Sequence, residues 1–562
     1  MPRLRLPPPL AQALLAAALT AALATSARAD DPMVEFVVAR ADTLIGLSSS
    51  VLVSPTAWRE VAKINKLRNP NRILPGQRLL IPTRLLRGDA VKATIVSATG
   101  DVRIGDAPVV PGATLGEGES VQTGPGSSAV IALADGSRVR MPPSSLAEVT
   151  ASRSYGGRLP TGQAVPSESG SPSNAPGQWF AGTLRLLRGS VDVFATKVLR
   201  ARPLEVVTPT AVVGVRGTQY RVGFDDAASA LTHAEVIEGQ VRFGAEKGSS
   251  GVNLPADFGA ALVARATAPI VARLLAAPDL SAVPDRFERP VVRFSVPGEA
   301  TPLHVQIASD PAFDKVVGDR QFAAGAEVRI VGLDDAPWYL RARRIDPNGI
   351  EGLDAVHPFV LKARPEPPAY RTPRAGAKQA VGGVDFAWAP NVDAPRVRLQ
   401  VAEDLAFTRI VQERDNLASA SLRAALPTPG SYYWRLASVR PDGDHGPFGD
   451  PQRFDLRPTP EPAAAGRSAD GNALIFKWSG RAEDRQQVEF ARDRDFTQIV
   501  ARDEVSGSEW TLPLPSSGGR YYFRYRSVEP DGFVSPYSAT LQVDLPRDWS
   551  GLGLLLPLLL LL

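Results

Sequence analysis

The sequence predicts a multidomain, mainly β protein that combines a small βααβ module, an all-β domain and three β-sandwich repeats. Three observations support this class. Short apolar runs with marked turns lie near the N-terminus, alternating residues with glycine turns fill the middle, and a repeat of about 90 residues occupies the C-terminal half. The 562-residue chain has no cysteine, so apolar cores rather than disulfides must hold each unit together.

Residues 1–29 have the pattern of a secretory signal peptide. Arg3 and Arg5 precede an apolar run, and Ala27-Arg28-Ala29 forms an A-x-A cleavage site. The run from Leu10 to Leu23 is short for a ~20-residue membrane span, which disfavours the alternative of an uncleaved anchor. The sequence therefore predicts cleavage after the last alanine and export to the periplasm or cell envelope.

The net charge argues against a nucleic-acid partner. Loss of the signal peptide removes three arginines, so 63 basic residues become 60 against 59 acidic ones, a net charge of +1. Proteins that bind a phosphate backbone carry a strong basic excess, which the mature chain lacks. The absence of cysteine also excludes thiolate metal sites and a lipid-anchoring cysteine.

Residues 30–85 are predicted to form a compact strand, helix, helix, strand module. The apolar run from Phe36 to Val38 opens it, and either Asp42 or Thr43 can cap the first helix. A second helix is predicted with Ser54 as its cap and Pro55 at its first position.

The predicted second helix has one apolar face. After the helix, a turn at residues 73–77 leads into the closing strand. Phe36, Trp58 and Ile81 are expected to lie in the core of the module. The apolar face consists of Trp58, Val61, Ala62 and Asn65.

This segment resembles the LysM domain, a small module that binds N-acetylglucosamine-containing glycans, above all peptidoglycan. The resemblance rests on Phe36, Val38, Asp42, Thr43, Leu44, Trp58, Val61, Ala62, Asn65, Ile73, Pro75, Gly76, Gln77, Leu79, Ile81 and Pro82. It implies a shallow groove between two loops. The implied glycan contacts are Asp42, Thr43, Leu44, Ile45, Ile73, Leu74, Pro75, Gly76 and Gln77. Ala41 departs from the family pattern, which usually has glycine there.

Residues 86–264 are predicted to form an all-β domain of short alternating strands. One hairpin is expected from Ala129 to Met141 around an Asp-Gly turn, and another from Ala234 to Phe243 around Glu238-Gly239. Residues 156–178 are rich in glycine, serine and proline and lack periodicity, which predicts a disordered loop.

This middle domain resembles the FecR domain over residues 111–241. The resemblance rests on Asp135-Gly136-Ser137, Leu187-Arg188-Gly189, Thr208-Pro209, Val215-Arg216-Gly217-Thr218 and Glu238-Gly239-Gln240-Val241. Signalling members of the family act through a transmembrane helix and a cytoplasmic tail, and neither is evident here. We therefore expect a β-rich interaction scaffold. Arg216-Gly217-Thr218 leaves a binding role open, although glycine within a strand favours a bend.

Three repeats are predicted at residues 286–364, 375–457 and 463–546, with proline-rich joints between them. Offsets of 94 and 89 residues relate them. The offsets align Asp310 and Phe313 with Asp404 and Phe407 and with Asp493 and Phe496. The repeats resemble fibronectin type III or similar immunoglobulin-like domains in their spacing. An early aromatic residue is expected to be buried in each, namely Phe294, Trp388 and Trp478.

No pattern of catalytic residues, metal ligands or a cofactor site stands out, so the sequence predicts a protein that is not an enzyme. The four histidines are scattered over separate units, at His233, His304, His357 and His445. Glycoside hydrolysis needs only two carboxylates that the fold brings together, so a peptidoglycan hydrolase stays as a third alternative.

The chain ends in an apolar tail at residues 549–562. As a helix, the run Leu552–Leu562 would reach only about 16 Å, which is too short for a ~30 Å hydrocarbon core. The tail favours weak contact with a membrane surface or a partner, and an artefact of gene prediction is the alternative.

Taken together, the sequence predicts an exported cell-envelope protein that binds peptidoglycan and displays its other domains to an unknown envelope protein. The alternative is an envelope sensor or regulator of the FecR type, whose position the glycan module would set. The sequence names a ligand for the N-terminal module only.

Overall fold

The computed structural model describes residues 33–155, 179–197, 203–215, 217–226, 230–245, 251–389 and 391–546. The predicted signal peptide, the glycine- and serine-rich loop at residues 156–178 and the apolar tail lie outside the described residues. The chain divides into two compact units, Met1–Leu361 and Lys362–Leu562, which are described separately. Strands dominate both units, so the predicted mainly β class is confirmed.

The N-terminal module has the predicted order of two strands around two helices. Strand β1 pairs antiparallel with β2, which places Phe36 opposite Leu79. A short 3-10 helix, Thr83–Leu85, follows. The elements are β1 (Met33–Val37), α1 (Leu44–Ser50), α2 (Trp58–Ile64) and β2 (Arg78–Pro82).

The second helix begins three residues later than predicted. Ser54 does not cap it, because its hydroxyl bonds to the Thr56 hydroxyl (3.0 Å) within a preceding turn. The Trp58 N–H donates instead to the Ser48 hydroxyl (2.7 Å), a buried side chain of α1. A contact ten residues away in sequence therefore sets the start of α2, which local capping patterns do not show.

The module packs against the middle domain, which lies in the same unit. Leu52, Leu85 and Leu86 of the module share one apolar cluster with Tyr155 and Ala181 of the middle domain. The module and the middle domain are therefore held together by a continuous core rather than by a free linker.

The middle domain consists of two sheets that share one long strand, β12. The first sheet has the order β6-β5-β8-β11-β12-β13-β14-β17-β18, with β3 beside β11, and the second has the order β7-β4-β9-β10-β12-β15-β16-β19-β20. Buried apolar residues of both sheets form the core. The strands are β3 (Asp89–Ala90), β4 (Ala93–Thr99), β5 (Val102–Ile104), β6 (Ala107–Pro108), β7 (Thr114–Leu115), β8 (Ser120–Thr123), β9 (Ser128–Ala132), β10 (Arg138–Met141), β11 (Leu146–Tyr155), β12 (Trp179–Phe194), β13 (Leu204–Val207), β14 (Ala211–Val215), β15 (Gln219–Asp225), β16 (Leu231–Glu238), β17 (Gln240–Ala245), β18 (Val252–Pro255), β19 (Phe258–Leu262) and β20 (Ile270–Arg273).

Glycines mark the points where the chain passes from one sheet to the other. Gly189, Gly217 and Gly239 all have positive φ, at 79°, 69° and 85°. The predicted hairpin around Gly239 is wrong, because β16 pairs with β15 and β19 whereas β17 pairs with β14 and β18. The same glycine signal that marks a hairpin turn here marks a corner between sheets. The other predicted hairpin, β9 with β10, is confirmed.

Each C-terminal repeat is a two-sheet sandwich, as predicted, and its early aromatic residue is buried. Repeat 1 contains β21 (Arg286–Phe287), β22 (Val292–Phe294), β23 (Leu303–Ala308), β24 (Val316–Phe322), β25 (Val328–Ile330), β26 (Ala336–Arg344) and β27 (Ala355–Leu361). Repeat 2 contains β28 (Tyr370–Thr372), β29 (Ala377–Ala380), β30 (Gly382–Trp388), β31 (Arg396–Ala402), β32 (Ile410–Leu417), β33 (Ser421–Leu426), β34 (Gly430–Val439), β35 (His445–Phe448) and β36 (Gln452–Arg457). Repeat 3 contains β37 (Ala464–Arg467), β38 (Ala473–Lys477), β39 (Arg485–Ala491), β40 (Ile499–Ser506), β41 (Glu509–Pro513), β42 (Gly519–Val528) and β43 (Leu541–Leu545).

A shared turn identifies the three sandwiches as true repeats. Phe313, Phe407 and Phe496 all have positive φ, between 56° and 58°. In each repeat an arginine of the long central strand lies over that phenylalanine ring, at 3.9 to 4.4 Å from its centroid. The cation–π contact helps hold a phenylalanine in a backbone region that bulky residues rarely adopt.

Repeat 1 packs against the middle domain through buried charged groups. Arg221 of β15 donates to Asp354 (2.8 Å), and Arg341 of β26 donates to Asp192 of β12 (3.0 Å). Asp314 of repeat 1 also accepts from Arg138 (2.7 Å) on β10. These groups pair across the boundary between the two domains, so repeat 1 and the middle domain form one packed body.

Candidate functional site

The two loops that the sequence singled out meet at the amino end of β2. The Val38 N–H donates to the Gln77 carbonyl (2.9 Å), and the Gly76 N–H donates to the Val38 carbonyl (2.8 Å). These bonds join the first loop, residues 38–43, to the second loop, residues 73–77. The structure therefore brings the two groups of predicted site residues together at one end of the module.

The first loop is held by its own side chains. The Asp42 carboxylate accepts from the Ala39 N–H (2.6 Å), and the Thr43 hydroxyl caps α1 by accepting from the Gly46 N–H (3.0 Å). Of the two candidate caps, Thr43 is thus the one that is used. Ala41 has a φ of 76°, in the left-handed region that glycine adopts more readily.

The second loop is a turn closed on itself. The Gln77 side chain accepts from the Leu74 N–H (3.0 Å), while the Gln77 N–H donates to the Leu74 carbonyl (2.9 Å). Gly76 has a φ of 83°, and a Cβ at this position would have no other atom within 4 Å. Glycine is therefore required here by backbone conformation and not by crowding.

Two large apolar side chains lie exposed near the joined loops. Ile45, the second residue of α1, is 58% exposed, and Leu74, in the second loop, is 60% exposed. Leu44, also a predicted contact, has its side chain in the core, so any contact from this position comes from its backbone. Exposed apolar side chains next to turn backbone supply both surfaces that a sugar needs, an apolar floor and hydrogen-bonding groups.

The core beneath the loops follows the sequence prediction except at Trp58. Phe36 and Ile81 are buried, as expected, whereas Trp58 is only half-buried and its ring lies 5.5 Å from the Arg59 guanidinium. Asn65 was placed on the apolar face of α2, but its role was missed. Its amide accepts from the Leu80 N–H (2.6 Å) and donates to the Leu80 carbonyl (2.7 Å). A polar residue on an otherwise apolar face was the signal for this link.

A concave feature lies in the middle domain, at an end of the second sheet. Its volume is about 280 Å³. Parts of three turns singled out in the sequence meet there, at Gly136, Thr218 and Glu238. The Thr218 hydroxyl is buried and lacks a hydrogen-bond partner among the described residues. Arg216, for which a binding role was left open, lies outside the described residues.

Among the described residues, no three His, Cys, Asp or Glu side chains are grouped so that they could hold a metal ion. None of the helices that the structure describes has the length and apolar character needed to cross a membrane.

The fold and its paired N-terminal loops define a class of modular, β-rich protein built from domains of binding and regulatory kinds. Two family models match the chain. The model described as LysM domain matches residues 36–82, and the model described as FecR protein matches residues 119–242. Both resemblances seen in the sequence are thereby confirmed. Domains of these two kinds are typical of envelope-associated proteins, and LysM domains generally bind glycans that contain N-acetylglucosamine.

Solved structures similar to the chain fall into two groups. Two crystal structures of a protein described as an anti-sigma factor from Parabacteroides distasonis ATCC 8503 are 15% identical and cover 27% of this chain, with a TM-score of 0.20. The chain spans 59% of that protein. The FN1-FN3 domains of chicken CNTN1 are 13% identical and cover 46% of this chain and 95% of theirs, with a TM-score of 0.19.

The fibronectin(III)-like modules of Clostridium thermocellum CbhA are 12% identical and cover 32% of this chain and 93% of theirs, with a TM-score of 0.20. The comparison with curated proteins gave no match.

Proposed function

We propose that this protein is an exported, non-enzymatic component of the cell envelope that binds peptidoglycan through the groove of its N-terminal module. The observation that carries the proposal is the pair of exposed apolar side chains, Ile45 at the start of α1 and Leu74 in the second loop, which is bonded to the first loop. The match of residues 36–82 to the LysM model supplies the class of ligand.

The glycan lies along the joined loops in this proposal. Its contacts come from residues 42–45, at the end of the first loop and the start of α1, and from residues 73–77 of the second loop. The apolar floor meets the methyl group of an N-acetyl substituent, and the turn backbone meets its amide. One shallow groove buries little surface, so the affinity of a single module is weak and binding to a polymeric wall benefits from many equivalent sites.

The remaining domains present surfaces to another envelope protein. The middle domain and repeat 1 share buried ion pairs and the module shares a core with the middle domain, so these three parts are displayed together. A second function, an envelope sensor of the FecR type, is favoured by the cleft in the middle domain, where parts of three FecR-like turns meet.

Retention of the mature full-length chain by purified sacculi tests the proposal. Leu74→Asp and Ile45→Asp are expected to reduce retention severalfold, because each places a charge on the apolar floor. Val53→Asp is the matched control, since Val53 is 56% exposed and its N–H is bonded to the Leu85 carbonyl, beyond the carboxyl end of β2. Equal retention of all three variants and the parent chain would contradict the proposal.

Full-length protein is preferable to an isolated module. A fragment that ends near residue 90 would expose Leu85 and Leu86, which pack against Tyr155 in the intact chain. Two further measurements separate the alternatives. Clearing of a peptidoglycan gel would support a hydrolase, and a change in transcription on deletion of the gene would support the sensor.

A further inference from the structure

The N-terminal module carries an excess of positive charge that the rest of the chain does not share. Residues 33–85, the described part of the module, contain eight Lys and Arg against three Asp and Glu, a net charge of +5. Since the mature chain has a net charge of +1, the remainder of it carries −4. The charge is therefore concentrated in the part that holds the groove.

Part of this charge lies beside the groove. Arg40 is in the first loop, Arg72 directly precedes the second loop, and Arg78 directly follows it. All three side chains are exposed. The hydrogen bonds that join Val38 to residues 76 and 77 hold the positions of Arg40 and Arg78 close to each other. Cations thus lie in or directly next to the two loops, close in sequence to Ile45 and Leu74.

The other cations lie elsewhere on the module. Arg59 and Lys63 are exposed residues of α2, and their neighbour Glu60 pairs with Arg84, beyond the carboxyl end of β2. The two loops are joined at the amino end of that strand. Arg59 and Lys63 therefore carry the same charge at a site away from the groove, and they provide a matched comparison.

We propose that the groove selects an acidic N-acetylated glycan, in which carboxylates beside the sugar meet Arg40 and Arg72 while the sugar itself lies on Ile45 and Leu74. The inference rests on the proposed function and deepens it. Peptidoglycan has this chemistry, because its stem peptides carry free carboxylates, as do lactyl groups to which no stem peptide is attached, whereas a neutral N-acetylglucosamine polymer carries none. Arginine forms strong charge-assisted hydrogen bonds with carboxylates.

Non-specific attraction of the basic module to any polyanion is the alternative to recognition at the groove. A net charge of +5 attracts the module to every anionic polymer or surface, and it does so wherever the cations lie. Recognition at the groove instead depends on which cations are present. Substitution at the groove and substitution on α2 therefore separate the two effects.

The test uses the mature full-length chain and titration calorimetry with defined soluble probes. The probes are a peptidoglycan fragment of disaccharide peptides with free carboxylates, a chitin hexamer, poly-L-glutamate, and vesicles that contain phosphatidylglycerol. The variants are Arg40→Glu with Arg72→Glu, and Arg59→Glu with Lys63→Glu as the matched control. Hydrogen exchange of the module amides checks that both variants are folded.

The proposal predicts that the peptidoglycan fragment binds more tightly than the chitin hexamer in dilute buffer and that this preference shrinks in 0.5 M salt. The groove variant loses about tenfold in affinity for the fragment, whereas the α2 variant stays within about twofold. Binding of the chitin hexamer is unchanged in both variants. Equal losses in the two variants would overturn the proposal, because only the total charge would then matter.

Other results also decide whether the groove selects an acidic glycan. Equal affinity for the fragment and the chitin hexamer overturns the acidic selection but leaves the proposed function standing. Poly-L-glutamate or vesicles binding as tightly as the fragment would show a general polyanion or lipid surface and overturn the proposal. If neither glycan binds, the proposed function fails with it. The Leu74→Asp variant tests the sugar contact separately, because it is expected to weaken binding of both glycans severalfold without changing the groove cations.

Discussion

Ala41 is the residue at which the module departs from the family pattern, and the structure shows the cost. Its φ of 76° lies in the left-handed region, where an L-residue with a Cβ is disfavoured by roughly 1–2 kcal/mol. We expect Ala41→Gly to stabilise the module by about 0.5–1 kcal/mol, because the relief of this strain exceeds the added freedom of glycine in the unfolded chain. Hydrogen exchange of the amides in β1 and β2 measures the change, and faster exchange would contradict the prediction.

The Asn65 side chain bonds to the backbone of β2 as a neighbouring strand would. Its amide occupies both hydrogen-bonding groups of Leu80 and also donates to the Val61 carbonyl (2.8 Å) at the end of α2. We expect Asn65→Ala to destabilise the module by about 1–3 kcal/mol, since the bonds to α2 and β2 are lost together. Asn69→Ala is the control, because that side chain bonds only locally, to the Asn71 N–H (3.0 Å). Similar amide protection in both variants would refute this role.

At the scale of elements, glycine corners decide the path of the middle domain. The long strand β12 pairs with β11 before Gly189 and with β15 from Gly189 onward, so this residue carries the strand from one sheet to the other. A Cβ at this position would lie 2.8 Å from the Ser145 Cα. The corner therefore requires glycine for both its conformation and its close packing.

Gly189→Ala is expected to cost roughly 2–4 kcal/mol, the sum of backbone strain and overpacking. Gly76→Ala is the matched control, since Gly76 also has a positive φ but has open space around it, and its cost should be only about 1 kcal/mol. Denaturation of the parent and the two variants, followed by tyrosine and tryptophan fluorescence and by module amide exchange, gives both values. A smaller loss at Gly189 than at Gly76 would contradict the argument from close packing.

The element scale also shows what the sequence could predict. Apolar periodicity and turn residues were sufficient for the β1, α1, α2, β2 order and for the β9–β10 hairpin, because these features are local. These local patterns did not predict the corner at Glu238-Gly239, because a glycine turn has the same sequence pattern in a hairpin and at a corner between two sheets. The start of α2 was missed for a related reason, because its cap comes from Ser48, outside the local pattern.

At the scale of the whole molecule, the sequence predicted the modules but not how the first three parts join. The offsets that identify the repeats cannot show that Asp354 pairs with Arg221, 133 residues earlier in the chain. The candidate glycan contacts were predicted by resemblance. The cations in and next to the two loops were not singled out, because charges on a small exposed module acquire meaning only once the two loops are seen to meet.

The buried charges of repeat 1 lead to a prediction about pH. The two ring nitrogens of His304 bond to Glu351 (2.6 Å) and to Asp319 (2.5 Å), and Glu351 also pairs with Arg343 (2.9 Å). Burial alone would lower the pKa of His304, but the carboxylates of Glu351 and Asp319 outweigh it and raise that pKa to about 10. The imidazolium is therefore retained in the folded protein at neutral pH.

The direction in which stability changes with pH follows from the difference in His304 protonation between the folded and unfolded states. Below the ordinary histidine pKa of about 6.5 both the folded and the unfolded states hold the proton, and the full stabilising contribution is present. As pH rises from about 6.5 to about 10, only the folded state holds it, so the contribution is lost progressively. Burial raises the pKa of Glu351, but His304 and Arg343 outweigh it and hold that pKa well below its usual range, so loss on the acid side occurs only at low pH.

We therefore expect the unfolding temperature of the first unit to fall steadily between pH 6.5 and 10. The fall corresponds to a loss of a few kcal/mol in the free energy of unfolding. His304→Gln should lower stability at pH 7, because two buried carboxylates lose their shared cation, and should flatten the pH dependence. His445→Gln is the control, since His445 is exposed in repeat 2. Scanning calorimetry of the mature chain gives both profiles. An unchanged slope in His304→Gln would mean that other groups carry the pH dependence, with buried His233 as the next candidate because its pKa is also raised, burial being outweighed by Glu235.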